Sequence, residues 1–301
     1  MEYMQGVTGI YVREETAVTL GKFDGIHKGH RKLIRRILQA EKNGLSSVVF
    51  ALDNGKGGIL VPQERRQMLE SMGVSYLIDC PLTPEVAHMQ AEDFVKDILA
   101  GRLHAKYLVV GSDFRFGFQR KGDYHLLQEM AGPCDFAVEV VKKEQFSDRD
   151  ISSSFIREEL RKGNMELAGQ LLGYPFFVSG EVLHGRQIGR TLGMPTTNLI
   201  PSTRKLLPPN GVYVSRTWVD GKKYPGITNI GYKPTVGEHF KGVETHIFDF
   251  DEDLYGKEIV VELLHFCRPE QKFGSLEQLK AQVGEDIVYG KEWFQTHPVI
   301  C

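Results

Sequence analysis

The sequence predicts an α/β protein with two domains. The first, over residues 1–172, is built on a parallel sheet, and the second, over residues 173–301, is a β-barrel closed by a terminal helix. Three observations predict this arrangement. A length of 301 residues suits two domains of ordinary size. The first half alternates short apolar runs with amphipathic stretches, which is typical of parallel sheets covered by helices. From Tyr174 onward the segments become strand-like and are joined by tight turns.

In the first half, an amphipathic helix follows the first predicted strand. Its apolar residues recur at helical spacing, so that they share one face, and they are Leu33, Ile34, Ile37 and Leu38. Further helices are predicted over 63–72 and 91–99. The predicted strands cover residues 17–20, 47–52, 76–78 and 107–110. Ligands of such sheets bind beyond the carboxyl ends of the strands.

The second half opens with two short helices, 155–162 and 165–172, and then turns to strands. The run 212–219 is rich in β-branched and aromatic residues and ends at Asp220-Gly221, a strong signal for a tight hairpin turn. Another long strand is predicted over 258–266. The last helix starts after Ser275, with Gln278 three residues on, which predicts a capping box.

Net charge, cysteine spacing and the length of apolar runs disfavour several classes of protein. A formal net charge of −2 gives no global attraction to nucleic acid or acidic lipid, so neither a nucleic acid nor a membrane is expected as a partner. The four cysteines are widely spaced, which disfavours a disulfide framework or a zinc site. The first ten residues do not have the pattern of a signal peptide, and no apolar run approaches bilayer length. We therefore expect a cytoplasmic protein.

A glycine-bearing segment, LGKFDGIHKGH over residues 20–30, lies between the first strand and the first helix. Its glycines allow a tight turn and a close approach of the backbone to phosphate. The helix that follows offers unpaired N–H groups to an anion. His27 and His30 are three residues apart and share one face, where both imidazoles can donate to a phosphate as charge develops on it.

Two more segments complete a first phosphate site. GSDFRFG, over residues 111–117, follows a strand, and ISSSFIR, over residues 151–157, places three hydroxyls before a helix and an arginine in its first turn. Hydroxyl donors, a helix N-terminus and a bidentate guanidinium together suit a triphosphate.

These strings resemble the GxFDGxHxGH, GxDFRFGxxRxG and ISSTxIR motifs of the adenylyltransferase module in bacterial bifunctional riboflavin kinase/FAD synthetases. The resemblance implies a Rossmann-like nucleotidyltransferase domain that adenylylates FMN with ATP, giving FAD and pyrophosphate. It implies catalytic roles for His27 and His30. The implied phosphate- and nucleotide-binding residues are Gly21, Phe23, Asp24, Gly25, Asp113, Ser153, Ser154 and Arg157.

A second phosphate site is predicted over residues 180–198, GEVLHGRQIGRTLGMPTTN. Its glycines and arginines can wrap a polyphosphate with backbone N–H groups and cations. Thr196 and Asn198 are two apart, so an extended chain points both toward one face, where their oxygens suit Mg²⁺. The predicted phosphate-binding residues are Gly185, Arg186, Gly189, Arg190 and Gly193.

This segment resembles the riboflavin kinase signature that ends in PTxN, and VETHIFDF over residues 243–250 resembles that family's VExHxxDF string. The resemblance implies phosphorylation of riboflavin by ATP to give FMN and ADP, with Mg²⁺ bound at Thr196 and Asn198. Glu244 is the predicted base that accepts the proton of the attacking alcohol. His246 is predicted to be structural, and Arg268 to face the flavin or a phosphate.

One stretch departs from the family pattern. Residues 53–58 read DNGKGG where bacterial members carry a Pro-His-Pro-like element, and Ser154 and Phe155 replace the usual threonine and arginine. The departure leaves a second hypothesis open, namely a riboflavin kinase whose adenylyltransferase domain is weakened or inactive. A third hypothesis is a flavin-binding regulatory protein without catalysis, since one fold hosts many functions. The near-neutral charge argues against an RNA-binding form of it.

Overall fold

The computed structural model describes residues 1–184, 194–235 and 238–298. It divides into two compact units, unit 1 over Met1–Ser153 and unit 2 over Ser154–Cys301. The sequence predicts a boundary between functional domains at residues 172 and 173, which stays a prediction. The units divide about twenty residues earlier, so the helical stretch up to residue 172 groups with unit 2. In the described part of the chain, no helix has both the length and the apolar composition needed to span a bilayer.

Unit 1 is built on a six-stranded sheet in the order β1-β4-β3-β2-β5-β6, and every pair is parallel. Its strands are β1 (Glu2–Gln5), β2 (Thr16–Gly21), β3 (Ser46–Asp53), β4 (Tyr76–Pro81), β5 (Ala105–Gly111) and β6 (Ala137–Val141). The residues of β2 are buried from Thr16 to Leu20, as expected for a central strand covered on both faces. The predicted parallel α/β fold is confirmed.

Helices connect these strands, and α1 illustrates how such a helix forms by packing an apolar face against the sheet. Its apolar residues Leu33, Ile34 and Ile37 are buried on one face, whereas Leu38 is only partly buried. The helices are α1 (Lys28–Ala40), α2 (Pro62–Ser71), α3 (Pro84–His88), α4 (Ala91–Asp93), which continues as a π-helical segment (Phe94–Ala100), and α5 (Tyr124–Ala131). Short 3-10 turns (Glu41–Asn43, Phe118–Arg120) and a two-stranded ribbon, β7 (Gln145–Phe146) with β8 (Arg149–Asp150), complete unit 1.

The strand order reverses at β2. From there the chain adds β3 and β4 on one side and later β5 and β6 on the other. Connections that leave in opposite directions open a crevice at the carboxyl ends of the two neighbouring strands, here β2 and β5. The segment 20–30 lies at the end of β2 and Asp113 just after β5, so both predicted phosphate motifs lie at this crevice.

Unit 2 starts with α6 (Ser153–Lys162), whose first residue groups with unit 1, and α7 (Met165–Leu172). An antiparallel sheet follows in the order β10-β13-β12-β11-β14-β9. The backbone N–H of Leu183, just after β9, donates to the carbonyl of Asn198 in β10 at 2.9 Å, so the two edge strands approach each other in a near-closed barrel. The strands are β9 (Phe177–Glu181), β10 (Thr197–Leu199), β11 (Gly211–Val219), β12 (Lys222–Thr235), β13 (Glu238–Ile247) and β14 (Glu258–Pro269).

The terminal helix α8 (Leu276–Thr296) covers part of this sheet, with Trp293 packed against Val214 and Leu264. The Ser275 hydroxyl accepts from the N–H of Gln278 at 3.3 Å, as the sequence predicts. The reciprocal bond of the capping box differs from the expectation, because the Gln278 side chain accepts from the N–H of Gly274 at 2.9 Å. The predicted barrel with a terminal helix is confirmed.

Candidate functional site

The loop between β2 and α1 holds an uncommon backbone conformation. Phe23 and Ile26 have positive φ angles of 45° and 36°, and Gly25 has a φ of 88°. The side chains of Phe23 and Ile26 are fully buried, and this packing holds the two residues in a region that non-glycine residues rarely occupy. Strained backbone of this kind concentrates at ligand sites. The turn brings the chain to the N-terminus of α1 at the crevice.

His27 and His30 stand together at the start of α1. Their rings stack with centroids 3.8 Å apart, and the backbone N–H of His30 donates to Nδ1 of His27 at 3.4 Å. This bond leaves the proton of a neutral His27 on Nε2. Nδ1 of His30 is buried and has no hydrogen-bond partner within the described part of the chain. The pair therefore contains one buried ring nitrogen without a hydrogen-bond partner among the described residues.

Burial keeps both imidazoles neutral. It lowers the pKa of His27 to about 4, against a smaller opposing effect of Asp113. It also lowers the pKa of His30 well below the ordinary value, and the neighbouring His27 adds to the effect. At neutral pH the pair therefore acts through hydrogen bonds and not as two fixed positive charges.

Asp24, predicted to bind the nucleotide, forms hydrogen bonds to neighbouring segments of this site. Its Oδ1 accepts from the N–H of Ile59 at 2.7 Å and of Leu60 at 3.4 Å. Its carbonyl oxygen accepts from the hydroxyl of Ser153 at 2.7 Å. Asp24 therefore joins the β2–α1 loop both to the segment after β3 and to the first residue of α6.

Asp113 follows β5 on the other side of the crevice. Its carboxylate forms an ion pair with Lys143 at 2.9 Å, and the same ammonium lies 3.3 Å from Asp150. Sequence reasoning missed Lys143, although its place just beyond β6 is a signal, because residues after neighbouring parallel strands meet at one edge of the sheet. The pair fixes where the Asp113 carboxylate stands.

The remaining predicted residues of this site lie at the start of α6. Ser154 is exposed and Arg157 is partly buried, and both group with unit 2. Of the ISSSFIR segment, the structure therefore brings Ser153 to the β2–α1 loop, through the bond to Asp24. Roles of Ser154 and Arg157 at a triphosphate stay predictions.

In unit 2, the antiparallel register brings the predicted base beside a predicted metal ligand. Asn198 in β10 is paired directly with Glu244 in β13. On the other side, Glu244 is paired with Asn229 in β12. Side chains directly opposite on neighbouring strands have Cβ atoms about 5 Å apart and lie on the same face. A half-buried carboxylate thus lies between two amides.

Two contacts hold the segment before β10 beside the cross-strand row of Asn198, Glu244 and Asn229. Nδ1 of His246 donates to the carbonyl of Pro195 at 2.9 Å, and the Thr197 hydroxyl donates to the carbonyl of Thr245 at 3.4 Å. Thr196 lies between the two anchored residues. His246 therefore has the kind of contact that its predicted structural role requires. Asn229 received no role from the sequence, and only the pairing of the strands reveals its place beside Glu244.

Arg268, predicted to face the flavin or a phosphate, is tied to the terminal helix. Its Nε and Nη2 donate to the two carboxylate oxygens of Asp286 at 2.8 and 2.6 Å. Asp286 is almost fully buried in α8, and sequence reasoning missed it. Register places Arg268 opposite Val212, which is opposite Asn229, so Arg268 belongs to the same cross-strand row as Glu244. Its contact with a ligand stays a prediction.

Comparison with known proteins identifies the family of this chain. A family model described as FAD synthetase matches residues 10–155, and one described as riboflavin kinase matches residues 172–294. A bifunctional riboflavin kinase/FMN adenylyltransferase from Escherichia coli strain K12 is 37% identical over 94% of this chain and 94% of its own. The Haemophilus influenzae protein of the same name is 32% identical over 97% of this chain and 100% of its own. This chain belongs to that family.

A solved structure has the same fold over nearly the whole chain. The crystal structure described as a macrolide-efflux protein from Streptococcus pneumoniae matches with a TM-score of 0.84 and 32% identity, covering 95% of this chain and 97% of its own. The protein is thus a member of the bifunctional riboflavin kinase/FMN adenylyltransferase family with an FAD synthetase domain and a riboflavin kinase domain. The predicted family is confirmed.

Part of the predicted kinase site lies outside the described residues. It comprises Gly185, Arg186, Gly189, Arg190 and Gly193. The polyphosphate-binding role of this segment stays a prediction. What the structure does bring together for the riboflavin kinase domain is Asn198 and Glu244, with Thr196 next to the start of β10.

Proposed function

We propose that this chain makes FAD in two ATP-dependent steps. The riboflavin kinase domain converts riboflavin and ATP to FMN and ADP, and the FAD synthetase domain converts FMN and ATP to FAD and pyrophosphate. The observation that carries the proposal is the presence of both family domains in one chain, each with its predicted reactive side chains side by side. Because ATP is the phosphoryl and adenylyl donor, the proposal places both steps in the cytoplasm.

In the kinase step, Glu244 accepts the proton of the primary alcohol of riboflavin while its oxygen attacks the γ-phosphorus of ATP. The bond from that phosphorus to the bridging oxygen breaks, and ADP leaves. A carboxylate is suited to this role because a neutral alcohol is a weak nucleophile. The amides of Asn198 and Asn229 on either side help to fix the carboxylate and the incoming hydroxyl in line.

The donors near Glu244 fit magnesium bound together with ATP. Thr196 and Asn198 supply a hydroxyl and an amide oxygen, which are hard ligands. The described residues contain no cluster of three or more His, Cys, Asp or Glu side chains able to hold a metal ion. This donor set suits a cation that takes most of its ligands from phosphates and water, and the proposed holders are Thr196 and Asn198. When bound, Mg²⁺ neutralises charge on the phosphates.

In the adenylylation step, a phosphate oxygen of FMN attacks the α-phosphorus of ATP, and pyrophosphate leaves with the electron pair of the broken bond. His27 and His30 are the proposed donors to the α-phosphate oxygens, where negative charge grows in the transition state. Neutral imidazoles held by burial are preorganised for this role, since they need no rearrangement of solvent as the charge develops.

A time course with riboflavin, ATP and Mg²⁺, with riboflavin, FMN and FAD separated by chromatography, tests the proposal. We expect FMN to rise first and FAD to follow. If FMN accumulates without FAD, even when FMN is supplied directly, the chain is a riboflavin kinase whose FAD synthetase domain is inactive. If neither product forms, the proposal fails and the flavin-binding regulatory hypothesis returns.

A further inference from the structure

The segment between β3 and α2 carries a lysine to the edge of the crevice. It starts beside the end of β2, because Ala51 in β3 is paired with Gly21. Two side-chain turns then shape it. Oδ1 of Asp53 accepts from the N–H of Gly55 at 2.8 Å, and Oδ1 of Asn54 accepts from the N–H of Lys56 at 3.2 Å. These bonds fold the chain back at the carboxyl edge of the sheet.

The far end of this segment is fixed to the β2–α1 loop. Ile59 and Leu60 donate to Asp24, as described above, and Gly58 lies so close that a Cβ on it would be 2.6 Å from Oδ1 of Asp24. Lys56 is two residues before Gly58, so its Cα is at most ~7 Å from that of Gly58. A flexible four-carbon stem lets the ammonium extend from there toward the β2–α1 loop near Asp24.

Lys56 has no carboxylate partner among the residues that the structure describes. The side chain is exposed, and its ammonium forms no ion pair with any residue in the ranges that the structure describes. Lys143 and Lys32, also in unit 1, differ in this respect, because Asp113 and Glu144 pair with them at 2.9 and 3.4 Å. A cation left without a carboxylate beside a phosphate site is suited to an anionic ligand.

We propose that Lys56 binds the pyrophosphate end of ATP during adenylylation, an inference that rests on the proposed function of unit 1. The loops after β3 and β5 flank the β2–α1 loop on opposite sides. On the β5 side, Asp113 and Asp150 both lie within ion-pair distance of Lys143. On the β3 side, the Asp53 carboxylate accepts from the N–H of Gly55, and the exposed Lys56 forms no ion pair with a described residue. This cation favours a position of the more anionic end of the substrate on the β3 side.

The role of this lysine follows from the bond that breaks. As an FMN phosphate oxygen bonds to the α-phosphorus, the electron pair of the α–β bridging bond passes to pyrophosphate, and Lys56 stabilises the added charge on the leaving group. An exposed, flexible ammonium can also release the product. The residues 53–58 that replace the Pro-His-Pro-like element thus supply a cation of their own.

The test compares K56A and K56R with the matched control K42A. Lys42 is an exposed lysine in the turn before β3, at the opposite edge of the sheet. We measure FAD formation with ATP and FMN varied separately, the reverse reaction of FAD with pyrophosphate, and riboflavin kinase activity in each preparation. For K56A we expect the KM for ATP and for pyrophosphate to rise about tenfold, the loss typical of one charge-assisted contact. We expect K56R to keep most of the activity, while the KM for FMN and kinase activity stay unchanged.

Three results would overturn the assignment while the wild-type chain still makes FAD. K56A behaving like K42A would make Lys56 an ordinary surface residue. A rise in the KM for FMN alone would place the lysine at the flavin phosphate. Equal losses in K56R and K56A would show that the fold of the segment matters and its charge does not. A wild-type chain that makes no FAD is a distinct outcome, which overturns the proposed adenylylation and this assignment with it.

Discussion

The two sites of this chain are built by different means. In unit 1 the proposed reactive groups stand on loops at the carboxyl edge of a parallel sheet, and buried residues at positive φ shape the turn before His27. In unit 2 Glu244 and Asn198 stand on the strands themselves, opposite each other in an antiparallel ladder. The first site therefore depends on loop conformation, and the second depends on strand register.

Their electrostatics differ as well. The imidazoles of His27 and His30 are stacked and neutral, and their proposed contact with phosphate is therefore through directed hydrogen bonds. Glu244 is half-buried beside two amides, where a carboxylate remains accessible to an incoming alcohol. Because the two proposed sites share no residue, a substitution in one unit is expected to leave the other activity intact, which makes each activity the internal control for the other.

The largest effect is expected from E244Q. Removing the carboxylate while keeping the shape should lower the rate of FMN formation about a thousandfold, the range of a lost general base. Riboflavin binding, followed by flavin fluorescence, should persist, and FAD formation from added FMN should be unchanged.

The matched control for that change is E258Q, at the exposed start of β14. It removes the same charge from the same sheet away from the cross-strand row. Kinase turnover that survives in E244Q would show that the base is another group, and equal losses in E258Q would point to the charge of the sheet as a whole.

A smaller effect is expected from H30Q. Loss of one imidazole donor to the α-phosphate should slow FAD formation about a hundredfold. The kinase rate in the same preparation should not change. The control is H125Q, because His125 is an exposed histidine of unit 1 in α5. FAD formation at the wild-type rate in H30Q would contradict the proposed role of the stacked pair.

The smallest effect concerns stability against pH. The pKa of His27 is lowered from 6.5 to about 4. Between these pH values His27 is therefore protonated in the unfolded chain and neutral in the folded chain. Stability from this group is fully present above pH 6.5 and is lost as the pH falls toward 4. H27N keeps an acceptor suited to the helix cap and cannot titrate.

Urea unfolding of wild type and H27N across this pH range checks the prediction. The free energy of unfolding should fall more steeply with decreasing pH for the wild type than for H27N. Parallel curves would mean that His27 is protonated as easily in the folded chain as in the unfolded one.

The local sequence pattern predicts much of the secondary structure and the fold class of both units. The alternation of the first half predicts the parallel sheet, and Asp220-Gly221 predicts the hairpin, where both residues have positive φ. The edge strand β1 carries no such pattern and exists because it pairs with β4, far along the chain. The same holds for Asn229, Lys143 and Asp286, whose partners are set by register and by packing of distant elements. The sequence predicts which residues are reactive, and tertiary pairing determines which residues lie beside them.

The pairing of Asn198 with Glu244 also limits which insertions and deletions the chain can accept. Side chains alternate between the two faces of a strand. Losing one residue within β13 ahead of Glu244 would bring Thr245 opposite Asn198, and gaining one would bring Val243 there, and either change would turn the carboxylate to the other face. Such a change substitutes none of the proposed reactive residues, yet it separates Glu244, the proposed base, from Asn198. We therefore expect length changes to be better tolerated in the turns between strands than within β13.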